Sequence, residues 1–376
     1  MTKIIHIISD SNIGGAGRCL VNYLRCHDRS RFEAAVILPR GSLLIPEIAA
    51  LDVPYFQVDG IAERSFSPTA VRALLELLRR EKPAIVHTHG SFSGRIAAKL
   101  CGCRIVYTRH SAFPVSPRLQ KGLMHRLNGW VGGFFADVVI AVSPAARENL
   151  MESGISPKII RLLGNGVAPL TPAPQARSAA LRAALEIPRD CFVAGYPARL
   201  EDYKGHELLL EAAKNLKDAG RSFRILIAGT GSREQQLREQ AQAMGLSGHV
   251  QFLGFVEDMS GFLSILNVQL NCSTLSEACS LSIIEGMSLG LPTVASRCSG
   301  NPWLVEDGVT GCLFENNDAR SLTEALTALM DDPVRTKAMG IAARNAYESR
   351  FTGEIFAAGL ERIYDEILTK KGGTSR

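Results

Sequence analysis

Pro169-Leu-Thr-Pro172-Ala-Pro174 decides the fold, because it interrupts a regular alternation of strand-like and helix-like segments near the middle of the chain. Three prolines in six residues fix φ and withhold backbone donors, so neither a helix nor a sheet ladder passes through. On the N-terminal side, short β-branched runs (Ile4 to Ile8, Ala34 to Leu38, Ala84 to His87, Ile105 to Thr108, Val138 to Val142) are separated by amphipathic segments of helical length. On the other side the rhythm resumes with Phe192 to Tyr196, Arg224 to Ala228, Val250 to Leu253, Val268 to Leu270 and Thr293 to Ala295. Strands that read as continuous apolar runs and alternate with helices belong to parallel sheets covered on both faces.

The expected architecture is α/β, with two Rossmann-like parallel-sheet domains facing each other across a cleft. The expected boundaries are residues 1–168, 169–350 and a last segment, 351–376, crossing back to the first domain. From Asp318 to Leu368 the chain reads as helical with few breakers. Its length of 376 residues suits two domains at about 150 residues each. Apolar residues at 46%, charged residues at 21% and 34 dispersed glycines describe a packed globular protein and do not indicate disorder.

No apolar run reaches the roughly 18 residues of a membrane span, and Ser9-Asp10 cuts the opening apolar stretch short, so a cytoplasmic location is expected. Nine cysteines lack metal spacing; Cys101-Gly-Cys103 is too tight for a zinc knuckle, and free thiols are expected. The net charge of +5 is uneven: residues 1–170 hold 21 Lys and Arg against 12 Asp and Glu, and no acid stands between Lys82 and Ala136. A basic N-terminal half suits an anionic partner such as lipid headgroups. Nucleic acid is not expected, since the aromatic and basic interleaving of its binding modules is absent.

In open parallel sheets, sites form beyond the carboxyl ends of the strands. Gly14-Gly15-Ala16-Gly17 follows the first strand and opens a helix, letting the backbone approach a ligand; its spacing is not the dinucleotide fingerprint. In Pro197 to Gly205, Arg199 and Lys204 converge at a strand end before a helix and suit a diphosphate. Glu277 and Glu285 flank seven residues; carboxylates there suit hydroxyls, and the N–H groups of Cys279, Ser280, Leu281 and Ser282 suit a phosphate. Glu285 lies amid Ile283, Ile284 and Met287, where an idle charge is costly. Gly229-Thr-Gly231 reads as a turn before a helix capped by Ser232. His87 and His89 point the same way on a strand, which raises zinc; with no third ligand in view, no metal is expected.

At these residues the chain resembles glycosyltransferase family 4, retaining enzymes of the GT-B fold, over nearly its whole length. The resemblance rests on Gly14-Gly15, His87-Thr-His89-Gly90, Thr108 and His110, Asn165-Gly166-Val167, the Arg199 to Gly205 loop and the Glu277 to Glu285 spacing. It implies that Arg199 and Lys204 hold the donor diphosphate, Glu277 the hydroxyls of the transferred sugar and Glu285 the ribose. Backbone groups at Gly254 to Val256 would read the base, His89 would sit beside the reacting sugar, and Gly14, Gly15, His110 and Asn165 would join the binding surface. It further implies a nucleotide-diphosphate sugar donor, UDP-sugar before GDP-sugar, a lipid-linked or polysaccharide acceptor, retention of configuration, and no cofactor or metal.

Three departures bear on substrate identity: Ser280 stands where the family often has Gly, Ser299-Gly-Asn-Pro-Trp303 replaces a Gly-Gly-x-x-Glu stretch, and an acid common near Arg18 is missing. Pro117 to Phe135 reads as a basic amphipathic helix, with Leu119, Leu123, Leu127 and Trp130 on one stripe. It suits an anionic membrane if the stripe is exposed and is plain core if not. Two rival functions share the pattern, a nucleotide-sugar 2-epimerase of the same shape and a catalytically silent sugar-nucleotide-binding protein.

Overall fold

The computed structural model describes residues 1–62 and 65–369 and divides the chain into two compact units. Unit 1 is Met1–Ala168 together with the chain from Thr352; unit 2 is Pro169–Phe351.

Unit 1 is a seven-stranded sheet of β1 (Thr2–Ile8), β2 (Phe32–Pro39), β3 (Tyr55–Val58), β4 (Ile85–His89), β5 (Arg104–Arg109), β6 (Val138–Ala141) and β7 (Ile160–Leu162), in the order β3-β2-β1-β4-β5-β6-β7. Each neighbouring pair is parallel. Alternate side chains of a strand leave by opposite faces, and β1 shows the result: Ile4 and Ile8 enter one apolar cluster, Ile5 and Ile7 another. The first cluster includes Phe356, Leu360, Ile363, Tyr364 and Ile367 from the helix Gly353–Thr369, so the end of the chain completes the core of unit 1. Each of these large side chains contributes about 1.5–3 kcal/mol by leaving water.

Unit 2 repeats the plan with six strands, β8 (Phe192–Pro197), β9 (Phe223–Ala228), β10 (Val250–Gly254), β11 (Val268–Asn271), β12 (Thr293–Ser296) and β13 (Gly311–Phe314), ordered β10-β9-β8-β11-β12-β13. Its pairs are parallel as well. β8 sends Tyr196 to one core and Val193 to the other. Both sheets reverse winding direction beside their first strand, the switch point where ligands of such sheets bind.

Three strands escape the sequence reading. β3 is a mixed-polarity edge, β7 is three residues around Arg161, and β13 is an edge opened by Gly311. The helical C-terminal stretch resolves into Ala319–Asp331, Pro333–Arg350 and Gly353–Thr369, the first break falling at Asp332, which caps the second helix, with Pro333 beginning it. The Pro117 to Phe135 segment is likewise two helices, Pro117–Gln120 and Gly122–Phe134, divided at the extended Lys121, after which Gly122 has φ +79°. The predicted cap at Ser232 is replaced by Arg233, because the Ser232 hydroxyl donates to Glu201 instead.

Candidate functional site

In unit 2 the chemistry gathers where β8 and β11 end. The turn after β8 is pinned from several sides. Leu200 N–H donates to Thr230 O at 3.0 Å, Thr274 N–H to Tyr203 O at 2.8 Å, and the Tyr196 hydroxyl to Lys204 O at 2.7 Å. Gly205 ends that turn in the left-handed region, φ +66°, where a Cβ would stand 2.1 Å from Cys272 O. Only glycine fits. Lys204 is therefore aimed by its backbone, and its Nζ lies 2.6 Å from Glu277 Oε2.

That carboxylate oxygen also accepts from Ser273 Oγ at 2.9 Å and Asn271 Nδ2 at 3.3 Å. Lys204 and Glu277 keep only 15% and 13% side-chain exposure. Burial pushes the Glu277 carboxyl up, but the Lys204 charge and the bonds from Lys204, Ser273 and Asn271 together outweigh it and hold the group below the usual carboxylate range. Glu277 is thus an ionised acceptor. The sequence reading gave Lys204 to the diphosphate and Glu277 to the sugar; the structure joins them to each other.

Ser280 caps the helix Leu281–Ser288, its hydroxyl accepting from Ile283 N–H at 3.4 Å while meeting Asn271 Nδ2 and Ser282 Oγ. This gives the serine that departs from the family pattern a role glycine cannot fill. A helix start leaves N–H groups unsatisfied, here at Leu281 and Ser282, four and five residues beyond Glu277 and without a partner among the described residues. Cys279 is buried, and Glu285 is half-buried while its neighbours Ile283, Ile284 and Met287 are fully so. Arg199 is exposed and bonds the Tyr203 hydroxyl. Gly254 closes β10, its carbonyl taken by Gly229 N–H at 2.7 Å, and Val256 packs on an apolar cluster of unit 2.

The other departures are also legible. Asn301 is fully buried and donates to Asn271 Oδ1 at 3.3 Å and to Ser296, supporting the residue that supports Glu277. Ser299 has φ +51°, a backbone the family's glycine adopts freely and serine does not. Arg18 finds its carboxylate elsewhere, bonding both oxygens of Glu47 at 2.8 Å.

In unit 1, Gly14 precedes the helix Gly15–Cys26, whose start has no side-chain cap. Asn165 is buried and accepts from the Cys19 thiol. His6, His87, His89 and Thr108 line one face of the sheet, His6 opposite His87 in register. His89 Nε2 lies 3.2 Å from His6 Nδ1, and His89 Nδ1 lies 2.8 Å from His110 Nε2. Burial keeps His89 well below ordinary histidine basicity, helped by His87, His110 and His6, and burial takes His110 down to about 4. His6, His87 and His89 bring nitrogens within 4.8 Å of one another, a metal-sized group. However, the His87 and His89 rings stack at 25°, and both His87 nitrogens are taken by Tyr364 and Thr108. Imidazole binds metals in its own plane, so near-parallel rings do not converge on one ion.

The largest cavity described, about 820 Å³, lies in unit 2 between Cys191, Asn267, Pro292 and the helix Pro333–Arg350. It opens at the amino ends of the strands, the wrong end for this chemistry. Asn271, Ser273, Asn301, Tyr196 and His6 escaped the sequence reading.

Comparison with known proteins agrees with the fold. Residues 13–169 match Glycosyltransferase Family 4, and residues 178–346 match Glycosyl transferases group 1. Phosphatidyl-myo-inositol mannosyltransferase of Mycobacterium leprae is 30% identical over 85% of this chain and 83% of its own length. The UDP-Gal:alpha-D-GlcNAc-diphosphoundecaprenol alpha-1,3-galactosyltransferase of Escherichia coli is 30% identical over 78% and 77%. Anabaena Alr3699/HepE, solved with UDP and glucose, has a TM-score of 0.85 at 22% identity, covering 97% of this chain and all of that one. Two parallel-sheet domains of this kind define the GT-B glycosyltransferases. The chain belongs to glycosyltransferase family 4 within that class.

Proposed function

We propose that this chain transfers a hexosyl group from a UDP-sugar to a lipid-linked or polysaccharide acceptor of the cell envelope, with retention of configuration. The observation that carries the reading is the Lys204, Glu277, Ser273 and Asn271 cluster beside the open start of the helix Leu281–Ser288. The UDP bound by Anabaena HepE and the UDP-Gal named for the Escherichia coli relative support the choice of donor. The diphosphoundecaprenol and phosphatidylinositol of the relatives support a lipid-linked acceptor.

The barrier in such a reaction is separation of charge between an oxocarbenium-like sugar and a departing diphosphate. Arg199, Lys204 and the helix N–H groups meet the phosphate charge, while Glu277 accepts from sugar hydroxyls. The departing phosphate takes the proton of the acceptor, which attacks from the same face. Glu285 holds the ribose and backbone at Gly254 to Val256 the base. In this reading the protein cations do the work of a divalent ion, so turnover survives a chelator.

Membrane contact belongs to the same proposal. On the helix Gly122–Phe134, Leu123 is 77% and Trp130 63% exposed, Leu127 is also exposed, and Arg118, Lys121 and Arg126 stand nearby in solvent. The stripe is therefore not core. Apolar side chains ringed by cations suit an anionic lipid surface. No described helix is long and apolar enough to cross a membrane.

The deciding experiment incubates the protein with a labelled UDP-sugar, alone and with a diphosphate-linked lipid acceptor, and reads products by NMR. Acceptor-dependent glycoside with the donor's anomeric configuration is expected. A donor epimerised at C2 without acceptor would replace the reading with an isomerase, and an inverted product would overturn the retaining mechanism.

A further inference from the structure

Between Ile4 and Ile8, on the face that packs the apolar core of unit 1, stands His6 with no exposed surface. A buried imidazole is costly unless its nitrogens are bonded. The partners of His6 therefore show what it is for. Its Nδ1 meets His89 Nε2 at 3.2 Å, and His89 Nδ1 meets His110 Nε2 at 2.8 Å. Two consecutive ring-to-ring bonds thus run from β1 through β4 to the end of β5. His87 stands beside this line without joining it, since its nitrogens go to the hydroxyls of Tyr364 and Thr108, both at 2.7 Å.

Burial keeps the three rings neutral at pH 7, with His6 down to about 3 and His110 to about 4. A neutral imidazole owns one N–H and one lone pair, so the line has only two directions. In the first, each ring donates from Nδ1, His6 to His89 and His89 to His110, and His110 Nδ1–H is left for an external acceptor. In the second, each donates from Nε2, and the final N–H is left on His6.

His6 Nε2 has no partner among the described residues, and the Tyr23 hydroxyl, equally buried and equally without one, lines the same cavity of about 10 Å³. Their ring centroids are 5.1 Å apart. A hydroxyl has a proton to place. A lone pair on His6 Nε2 takes it through one bridging water, which accepts from the tyrosine and donates to the imidazole. An N–H there makes the same water accept from both groups, which leaves its two protons with no acceptor among the described residues, and buried donors without partners are costly. The first direction leaves fewer buried protons without an acceptor and is the favoured one.

We infer that His6 is a positioning residue that, with Tyr23 behind it, locks His89 and His110 as Nδ1–H tautomers, so that His110 offers a neutral donor to a substrate hydroxyl or phosphoryl oxygen. His89, with both nitrogens engaged, carries this order rather than touching substrate through a free nitrogen. Among the described residues His110 Nδ1 has no protein partner, and His110 is partly exposed. The inference rests on the glycosyl-transfer reading for its substrate, though not for the tautomers.

Selective 15N labelling of the eight histidines and long-range 1H–15N correlation spectra at pH 7.5 read tautomers directly. Nδ1–H forms are expected at His6, His89 and His110, against the preference of free imidazole. An Nε2–H form at His89 or His110 in the wild type would overturn the inference. His6→Gln keeps an amide donor within reach of His89 and His6→Leu removes it. The leucine variant should release both tautomers and lower kcat about tenfold or more with little change in KM, while the glutamine variant should stay within about threefold. Equal losses in both variants with unchanged tautomers would also overturn it. If the leucine variant fails to fold, the wild-type and glutamine spectra decide. The spectra need no substrate, so a wrong tautomer and a wrong reaction fail separately.

Discussion

Replacing Lys204 with alanine separates what the Lys204–Glu277 pair does for folding from what it does for catalysis. The variant leaves Glu277 ionised, 13% exposed, and without the charge that holds its pKa down. Breaking a buried pair from one side costs about 3–5 kcal/mol. Ser273 and Asn271 still donate to the carboxylate, and some water reaches it, so a loss of about 2–3 kcal/mol at pH 7 is expected.

The sign of its pH dependence follows from the direction of the shift. In the wild type the folded pKa of Glu277 lies below the unfolded value, so its contribution is present above that value and disappears as pH falls through the folded pKa. In the variant desolvation is opposed only by the neutral Ser273 and Asn271 bonds, so the folded pKa is expected to rise above the unfolded one and the carboxyl to destabilise at neutral pH and not in acid. The difference between the two proteins should be full at pH 7 and shrink towards pH 4. Urea unfolding at both pH values measures it, and Lys204→Met with Glu277→Gln in one chain should recover most of the stability. Turnover is expected to fall about a hundredfold in either variant, because the site has lost the Lys204 charge that helps meet the diphosphate. An equal stability loss at pH 7 and pH 4, or a double variant less stable than the single one, would refute the reasoning.

Other consequences are independent of that pair. Ser299→Gly relieves a left-handed serine and should raise stability by about 0.5–1 kcal/mol, read as a higher urea midpoint at unchanged slope. Gly205→Ala puts a methyl 2.1 Å from Cys272 O and should lower turnover along with stability, since the turn that aims Lys204 must move. Leu123→Asp with Trp130→Asp, both at exposed positions, should abolish sedimentation with anionic vesicles while leaving the melting temperature within about a degree. Wild-type binding should weaken as salt rises, and equal binding to neutral vesicles would contradict the electrostatic part.

Much of this was legible because buried parallel strands have a strong signature. β1, β2, β6 and β9 are mostly apolar runs between helical periods, and the prolines after residue 168 mark the change of unit. β3, β7 and β13 were not, because edge strands of three or four residues carry too few side chains to show a period. The Arg199 to Gly205 loop and Glu277 stood out through charge at strand ends. Asn271 and Ser273, which hold Glu277 in place, are small polar residues with no spacing to betray them. His6 hid for another reason: one histidine in Ile4-Ile-His-Ile-Ile8 reads as a tolerated core residue until register sets it against His87 and His89. Leu123, Leu127 and Trp130 formed a visible stripe, but its exposure had to be observed.

The central claim, that the cluster at the ends of β8 and β11 is the donor site, is tested most directly by calorimetric titration of UDP-sugar into the wild type, Arg199→Ala and Glu277→Gln. The wild type should bind, and each variant should lose about tenfold or more in affinity, the worth of one charge-assisted contact. Undiminished binding by both variants would place the donor elsewhere on the molecule.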